Sequence, residues 1–288
     1  MIRVGVVGNR RYERLDDLLR LIRRRAPELG IALELEPELH DLAGGTRLDD
    51  VTGLDALITL GGDGTMLRGG RLLAGHDVPI LGINLGRLGF LTACGSEELE
   101  RALERLASGD YLVSSRMALE AHTTRAETDH RWRALNDVVL HKGGFARVVR
   151  LRVYGDGELV AAFAADGLVI STPTGSTAYS LSAGGPVVVP SVESIIITPI
   201  SAHSLALRSI VLPPSGTVTV RADDGPEELL VTIDGQVGAT FAPGEVLHVK
   251  RAEQPVLMVR LGDTSFFARM RTKLGWGGPG QEDVDETC

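Results

Sequence analysis

Residues 57–67 read LITLGGDGTML. An apolar run ends at Leu60, glycines flank Asp63 on both sides, and a helical pattern begins at once. A strand that passes through a glycine turn into a helix is the repeating unit of a parallel α/β sheet. In such sheets ligands bind beyond the carboxyl ends of the strands, where loops meet helix N-termini. The backbone N–H groups of Gly61, Gly62, Gly64 and Thr65 are therefore candidates to cradle phosphate. The loop is neither GxGxxG nor a Walker sequence with its lysine, which excludes the two commonest phosphate-binding readings. A carboxylate beside polyphosphate is electrostatically awkward, so Asp63 must serve a purpose there, either as base for a hydroxyl or as holder of a metal. The loop alone also admits a plain turn in which the aspartate caps the helix.

Outward from this loop the same alternation continues. Ile2–Val7, Ala32–Leu35, Asp55–Leu60 and Pro79–Ile83 read as buried strands. Leu15, Leu18, Leu19 and Ile22 fall on one helical face, and a second helix is expected over Ser96–Ala107 with Ser96 as its N-cap. Residues 1–111 thus predict a Rossmann-like α/β domain. After Asp110 the pattern changes to strand-like runs: Tyr111–Thr124, Arg133–His141, Val148–Tyr154, Glu158–Ala164, Thr217–Ala222, Leu229–Ile233, Val246–Lys250 and Val256–Leu261. Asp156-Gly157 and Asp234-Gly235 are hairpin signals. Residues 112–262 therefore predict an all-β, sandwich-like domain. Ser265–Leu274 is helical again and is expected, with residues 263–288, to return to the first domain, ending in a frayed glycine-rich and acidic tail.

The formal net charge of −8 argues against a nucleic-acid binder held by a general basic field. Only Lys142, Lys250 and Lys273 among the 30 basic residues are lysine, which fits either phosphate recognition or a codon bias. No apolar run approaches the ~18 residues of a membrane span. Two cysteines, Cys94 and Cys288, imply no disulfide framework, and no signal-peptide pattern opens the chain, so a cytoplasmic location is expected. The histidines form no metal-ligand spacing, so no resident metal site is expected.

Two further segments carry polar chemistry. Residues 166–186, DGLVISTPTGSTAYSLSAGGP, combine hydroxyl side chains with glycine, which suits a polar ligand wrapped closely; Tyr179 offers an aromatic face. A Ser/Thr-rich surface loop is the alternative. Asn136-Asp137 interrupts the apolar stretch RALNDVVL, and strand alternation would bury one of the pair. A buried amide or carboxylate needs a partner, for which a ribose hydroxyl and a structural turn are equally suitable.

Taken together, these segments resemble the NAD kinase family of bacterial type over nearly the whole chain. The resemblance rests on GGDGT at Gly61–Thr65, NLGRLGFL at Asn84–Leu91, Asn136-Asp137, the long signature Asp166–Pro186, HSLALR at His203–Arg208, and Asp234-Gly235-Gln236. GGDG alone is shared with lipid kinases and phosphofructokinases; the long signature is the specific part. The resemblance implies transfer of the ATP γ-phosphate to the 2′-hydroxyl of the adenosine ribose of NAD, giving NADP, with Asp63 as the proton acceptor and no covalent intermediate. It places Gly64, Arg68, Asn136, Asp137, Arg147, Asp166, Thr177, Ala178, Tyr179, Ser180, Leu181, Ser182 and Gln236 at dinucleotide-binding positions. It also implies Mg²⁺ or another divalent cation arriving with ATP, and a homodimer or homotetramer. Asp137 stands where many members have glutamate, and Ala164 where some have a basic residue. The rivals are a lipid kinase, which would need an apolar mouth for acyl chains, and a non-catalytic NAD(H)/NADP(H) sensor, in which loss of the acid at position 63 would be expected.

Overall fold

The computed structural model describes residues 1–276 apart from 88, 126–127, 144–147, 205, 225–228, 243 and 263–264. The chain divides into two compact units. Met1–Gly69, Val78–Ser114 and the chain from Met258 onward form the first; Gly70–Asp77 and Ser115–Leu257 form the second.

The first unit runs β1 (Ile2–Gly8), α1 (Leu15–Glu28), β2 (Ile31–Leu35), α2 (Pro37–Ala43), β3 (Thr46–Arg47), β4 (Ala56–Leu60), α3 (Asp63–Leu72), β5 (Ile80–Asn84), β6 (Cys94–Gly95), α4 (Leu99–Ser108) and β7 (Leu112–Arg116). Its sheet has the order β3-β2-β1-β4-β5, continued by the strand Val256–Arg260 and then β7, with β6 beside β5. Pairings from β3 through β5 are parallel. Every residue of β4 and β5 is buried, which is why these strands are mostly apolar rather than alternating, with Thr59 and Asn84 as their buried polar residues. The helix α1 buries Leu15, Leu18, Leu19, Ile22 and Ala26. They pack into one core with Val4, Val6, Ile58 and Leu60, and Asp16 and Asp17 favour its N-terminal dipole. Strand order reverses between β1 and β4. The crevice for a ligand in such a sheet opens at that reversal, and the GGDGT loop leaves β4 there.

The second unit is built on two six-stranded sheets. One runs Ile210–Leu212, Ile195–Ile200, Gly167–Ser171, Asp137–Lys142, Leu229–Ile233 and Val237–Phe241; the other runs Glu158–Ala165, Val149–Gly155, Thr217–Asp224, Val246–Arg251, Leu119–Arg125 and Thr128–Ala134. All pairings between neighbours within each sheet are antiparallel. Alternation is clean: Val149, Leu151 and Val153 are buried while Arg150 and Arg152 are exposed. The inner faces share a core that includes Val138, Leu140, Leu168, Ile170, Val218, Val220, Leu247 and Val249. Asp156 and Gly157 turn their hairpin at φ 50° and 85°, and Asp234 and Gly235 at φ 51° and 63°, the positive pairs that an Asp-Gly turn supplies.

The α/β-plus-sandwich architecture matches the expectation, and three local readings are corrected. The run Tyr111–Thr124 is two strands, because β7 joins the first sheet and Leu119–Arg125 joins the sandwich. Val256–Arg260 likewise belongs to the first sheet, with Met258 opposite Ile80, rather than to the all-β region. Ser96 does not cap α4: it lies inside a 3₁₀ turn, Ser96–Glu98, whose preceding Gly95 donates its N–H to Glu98. The expected frayed tail falls outside the described residues from 277 onward. Among the described residues, no helix is long and apolar enough to cross a membrane.

Candidate active site

In the first unit, Asp63 is the opening residue of α3, directly after β4 and Gly61-Gly62. Its Oδ2 accepts the Phe90 N–H at 2.8 Å and its Oδ1 accepts the Leu91 N–H at 3.0 Å. Two amides from one short segment thus fix the carboxylate, and each oxygen keeps a further lone pair for a ligand. Gly89 is required for this approach, since a Cβ there would overlap the Asp63 carboxylate. The segment is itself organised by Asn84. That side chain accepts the Gly86 N–H at 2.7 Å and donates to the Arg87 carbonyl at 2.8 Å and the Thr92 hydroxyl at 3.3 Å.

The terminal helix Phe266–Leu274, capped by Ser265 accepting the Ala268 N–H at 3.1 Å, contributes Arg269. One guanidinium nitrogen of Arg269 donates to the Phe90 carbonyl at 3.2 Å and the Thr92 carbonyl at 2.5 Å. Burial, and then the neighbouring Arg260, lower the Arg269 pKa, while the Asp63 charge acts in the opposite direction. Arg68, one turn along α3, is bonded to both carboxylate oxygens of buried Glu36 and to the Gly8 carbonyl at 2.6 Å. Its fork closes the end of β1. Gly64 is exposed and Gly62 half-buried, but Gly61 and Thr65 are buried. The latter two donate their N–H groups to the Ile83 carbonyl at 3.0 Å and the Gly62 carbonyl at 2.9 Å, so these two amides hold the loop rather than offer themselves to phosphate.

In the second unit the Asn136-Asp137 pair is held by Asp234. That carboxylate accepts the N–H groups of Leu135 at 3.3 Å, Asn136 at 2.8 Å and Asp137 at 3.2 Å, and pairs with Arg71 at 3.2 Å. Arg71 also donates to the Gln236 side chain. The three amides taken by Asp234 explain why Arg133–His141 is broken into two strands at Leu135-Asn136. Alternation correctly buries one of the pair: Asp137 is 4% exposed. Burial, and then the Asp234 charge, push its carboxyl up to about 7. Asp234 is also raised, by burial, against the lowering effect of its three amides and Arg71. The Asn136 side-chain oxygen is buried and has no hydrogen-bond partner in the structure. An amide acceptor in that state costs free energy unless a ligand donor completes it.

The signature loop lies against this segment. Thr172 donates its N–H to the Asn136 carbonyl at 2.9 Å and its hydroxyl to the Leu135 carbonyl at 2.6 Å. Gly175 packs so closely on the Asn136 carbonyl that a Cβ would overlap it. Much of the hydroxyl density read as ligand-facing is internal. Ser171, Thr172, Ser176 and Ser180 are all fully buried. Ser176 bonds the Pro173 carbonyl at 2.7 Å, and Ser180 meets the Thr198 hydroxyl at 3.0 Å. What remains open is Tyr179, 45% exposed, with exposed Ser182 and half-buried Thr177, Ala178 and Leu181. Asp166 pairs with Lys142 at 2.6 Å and stays partly accessible. Arg147 lies outside the described residues.

Comparison with known proteins shows which family the chain matches. The ATP-NAD kinase N-terminal domain family matches residues 32–111 and the ATP-NAD kinase C-terminal domain family matches residues 135–261. The chain belongs to the NAD kinase family. It is 57% identical to an NAD kinase of Gemmatimonas aurantiaca, over 99% of this chain and 100% of that one. It is 41% identical to an NAD kinase of Moorella thermoacetica, over 98% and 92%. Among solved structures it is similar to yeast NADH kinase complexed with NADH, with a TM-score of 0.87 at 25% identity, covering 98% of this chain and 90% of that one. It is also similar to an NAD kinase from Archaeoglobus fulgidus in complex with ATP, with a TM-score of 0.73 at 27% identity, covering 95% and 98%.

For this member of the NAD kinase family, sequence reasoning singled out Asp63, Asn136 and Asp137 but missed the residues that hold them. Asp234 was legible as a hairpin signal and as part of the Asp234-Gly235-Gln236 motif, though not as the acceptor of three amides; Gly89 was legible as part of a motif, and Arg71 was not singled out. Arg269 carried no signal, because its partners are carbonyl oxygens, which have no residue identity.

Proposed function

We propose that this chain is an ATP-dependent NAD kinase that transfers the γ-phosphate to the 2′-hydroxyl of the adenosine ribose of NAD. The observation that carries the reading is the Asp63 carboxylate, pinned by two backbone amides at the carboxyl end of β4 in a chain of this family. Phosphoryl transfer needs positioning and charge neutralisation more than covalent chemistry. Asp63 takes the hydroxyl proton as the bond to phosphorus forms, a role that typically supplies ~10²–10⁴-fold in rate. In this scheme Gly62 and Gly64 face phosphate at the start of a helix, while Gly61 and Thr65, whose N–H groups bond the Ile83 carbonyl at 3.0 Å and the Gly62 carbonyl at 2.9 Å, shape the turn. Asn136 offers its unpartnered buried oxygen to a ribose hydroxyl, and Tyr179 an exposed ring to a base. Asp137, Asp166, Thr177, Ala178, Ser182, Gln236 and Arg147 complete the proposed dinucleotide contacts, with transfer direct from ATP to the sugar.

Arg68 and Ser180 enter this scheme as supports, because the Arg68 fork and the Ser180 hydroxyl are already engaged inside the protein, while half-buried Leu181 stays with the proposed dinucleotide contacts. Among the described residues, no three His, Cys, Asp or Glu side chains gather to hold an ion. The divalent cation of this scheme arrives with the ATP phosphates, and Asp63 is the carboxylate on the loop. When bound, such an ion neutralises phosphate charge. Cytoplasmic homo-oligomers are part of the same proposal.

The test is purified protein with NAD or NADH and with ATP or polyphosphate, NADP(H) being read by a coupled dehydrogenase. Dinucleotide binding without turnover in the presence of ATP and Mg²⁺ would replace the kinase by a sensor.

A further inference from the structure

We infer that Arg269 is a positioning residue for Asp63, acting through the single peptide group between Phe90 and Leu91. The Phe90 carbonyl accepts from Arg269 at 3.2 Å, and the Leu91 N–H donates to Asp63 Oδ1 at 3.0 Å. These are the two ends of one planar, conjugated unit. A cation on the oxygen draws electron density from the nitrogen and makes the N–H a stronger donor, the cooperative strengthening seen in chains of hydrogen bonds. The same guanidinium nitrogen also holds the Thr92 carbonyl at 2.5 Å. Thr92 is fully buried and meets Asn84 through its hydroxyl. The two amides that fix Asp63 therefore lie in a segment held at Asn84 on one side and Arg269 on the other. Arg269 thus reaches the segment through these two carbonyls, while the Asp63 charge acts on it to raise its pKa against the lowering effect of burial and Arg260. The terminal helix thus does more than cover the first unit: it sets the orientation of the carboxylate at the other end of a peptide.

The inference rests on the reading of Asp63 as proton acceptor, so its test separates the two. Arg269→Gln and Arg269→Lys are made in the full chain, alone and with Asp63→Asn, and assayed with NAD, ATP and Mg²⁺. Backbone hydrogen exchange across Phe90–Thr92 is followed in parallel. Arg269→Gln is expected to lower kcat by about ten- to a hundredfold, the range for a lost charge-assisted hydrogen bond, with both KM values within about twofold of wild type. Arg269→Lys should recover part of the loss, since it keeps the charge but not the fork. In the Asp63→Asn background Arg269→Gln should cost less than about twofold, as for residues that act as one unit. Exchange at Leu91 should be faster in Arg269→Gln. A wild-type kcat with a lowered Tm, or an equal loss in the Asp63→Asn background, overturns the inference and leaves Arg269 as a helix anchor. If Arg269→Gln does not fold, Arg269→Lys carries the comparison: lowered kcat at constant KM supports the inference and wild-type kcat overturns it. A wild-type kcat in Asp63→Asn overturns the proton-acceptor reading alone. Faster exchange at Leu91 then still supports the positioning contact, and unchanged exchange overturns it.

Discussion

Asp137 makes stability and function pull in opposite directions, and the conflict can be measured by pH. The carboxyl is 4% exposed and faces a second buried carboxyl, Asp234. Its pKa rises from an ordinary 3.8 to about 7. The folded state therefore holds the proton more tightly than the unfolded chain. The resulting stability is fully present below pH ~4, declines as pH rises, and is lost once pH passes through about 7. Between pH 5 and 8 roughly two pH units of that interval are crossed, at about 1.4 kcal/mol each, or about 3 kcal/mol. At about 2–4 °C per kcal/mol for a protein of this size class, the wild type should lose about 6–12 °C of Tm relative to Asp137→Asn over that range. The assay is thermal melting of both proteins at pH 5 and pH 8, and only the change in their difference is read. Groups common to both and remote from Asp137 cancel, while Asp234, which titrates together with Asp137, is read as part of the same pair. Asp137→Asn should gain on wild type at pH 8 while its KM for NAD rises, the trade expected where a site stores an unfavourable charge. A Tm difference that stays constant between the two pH values would refute the argument, because it would mean that Asp137 is charged in the folded protein at both.

The other expectations are local to the site. Asp63→Asn should keep the fold and lose ~10²–10⁴-fold in kcat; a kcat within threefold of wild type removes Asp63 from the role of base. Asn136→Ala should raise the KM for the dinucleotide about five- to 150-fold, the worth of a hydrogen bond to a buried partner, and leave the KM for ATP alone; an unchanged dinucleotide KM with a lowered Tm would make the amide a structural element only. EDTA should abolish ATP-dependent turnover and Mg²⁺ restore it, while elemental analysis of untreated protein finds no stoichiometric metal. Tightly held zinc would contradict a cation that travels with the nucleotide.

The legible part of this chain is the part written in local chemistry. Strand, glycine turn and helix at residues 57–67 could be read because each step is decided by neighbours: buried β4 must be mostly apolar, and the turn must admit backbone to backbone. The Asp156-Gly157 hairpin was readable for the same reason, since only a short list of residues takes two positive φ values in succession. Strand membership was less so. Leu112–Arg116 shows no clear alternation and Val256–Val259 is a short apolar run, and runs this short do not decide between a strand that completes the α/β sheet and one that joins the sandwich. Their placement depends on partners more than a hundred residues away.

The same division runs through the site. Asp63 and Asn136-Asp137 announced themselves because polar groups among glycines or apolar residues have to be explained. The hydroxyls of residues 171–182 announced themselves too, and most of the signal was misleading: Ser171, Thr172, Thr174, Ser176 and Ser180 are buried within the loop. A dense run of small donors is what a tight turn needs for its own carbonyls, and also what a ligand needs, and composition does not separate these uses. Asp234 and Arg269 show the deeper limit. Each acts on backbone atoms, one by accepting three N–H groups and the other by donating to two carbonyls. A side chain whose partner is backbone leaves no complementary residue type to find. Its role becomes visible only when the fold shows whose peptide it holds, and here the peptides held are those beside Asp63 and through Asn136-Asp137.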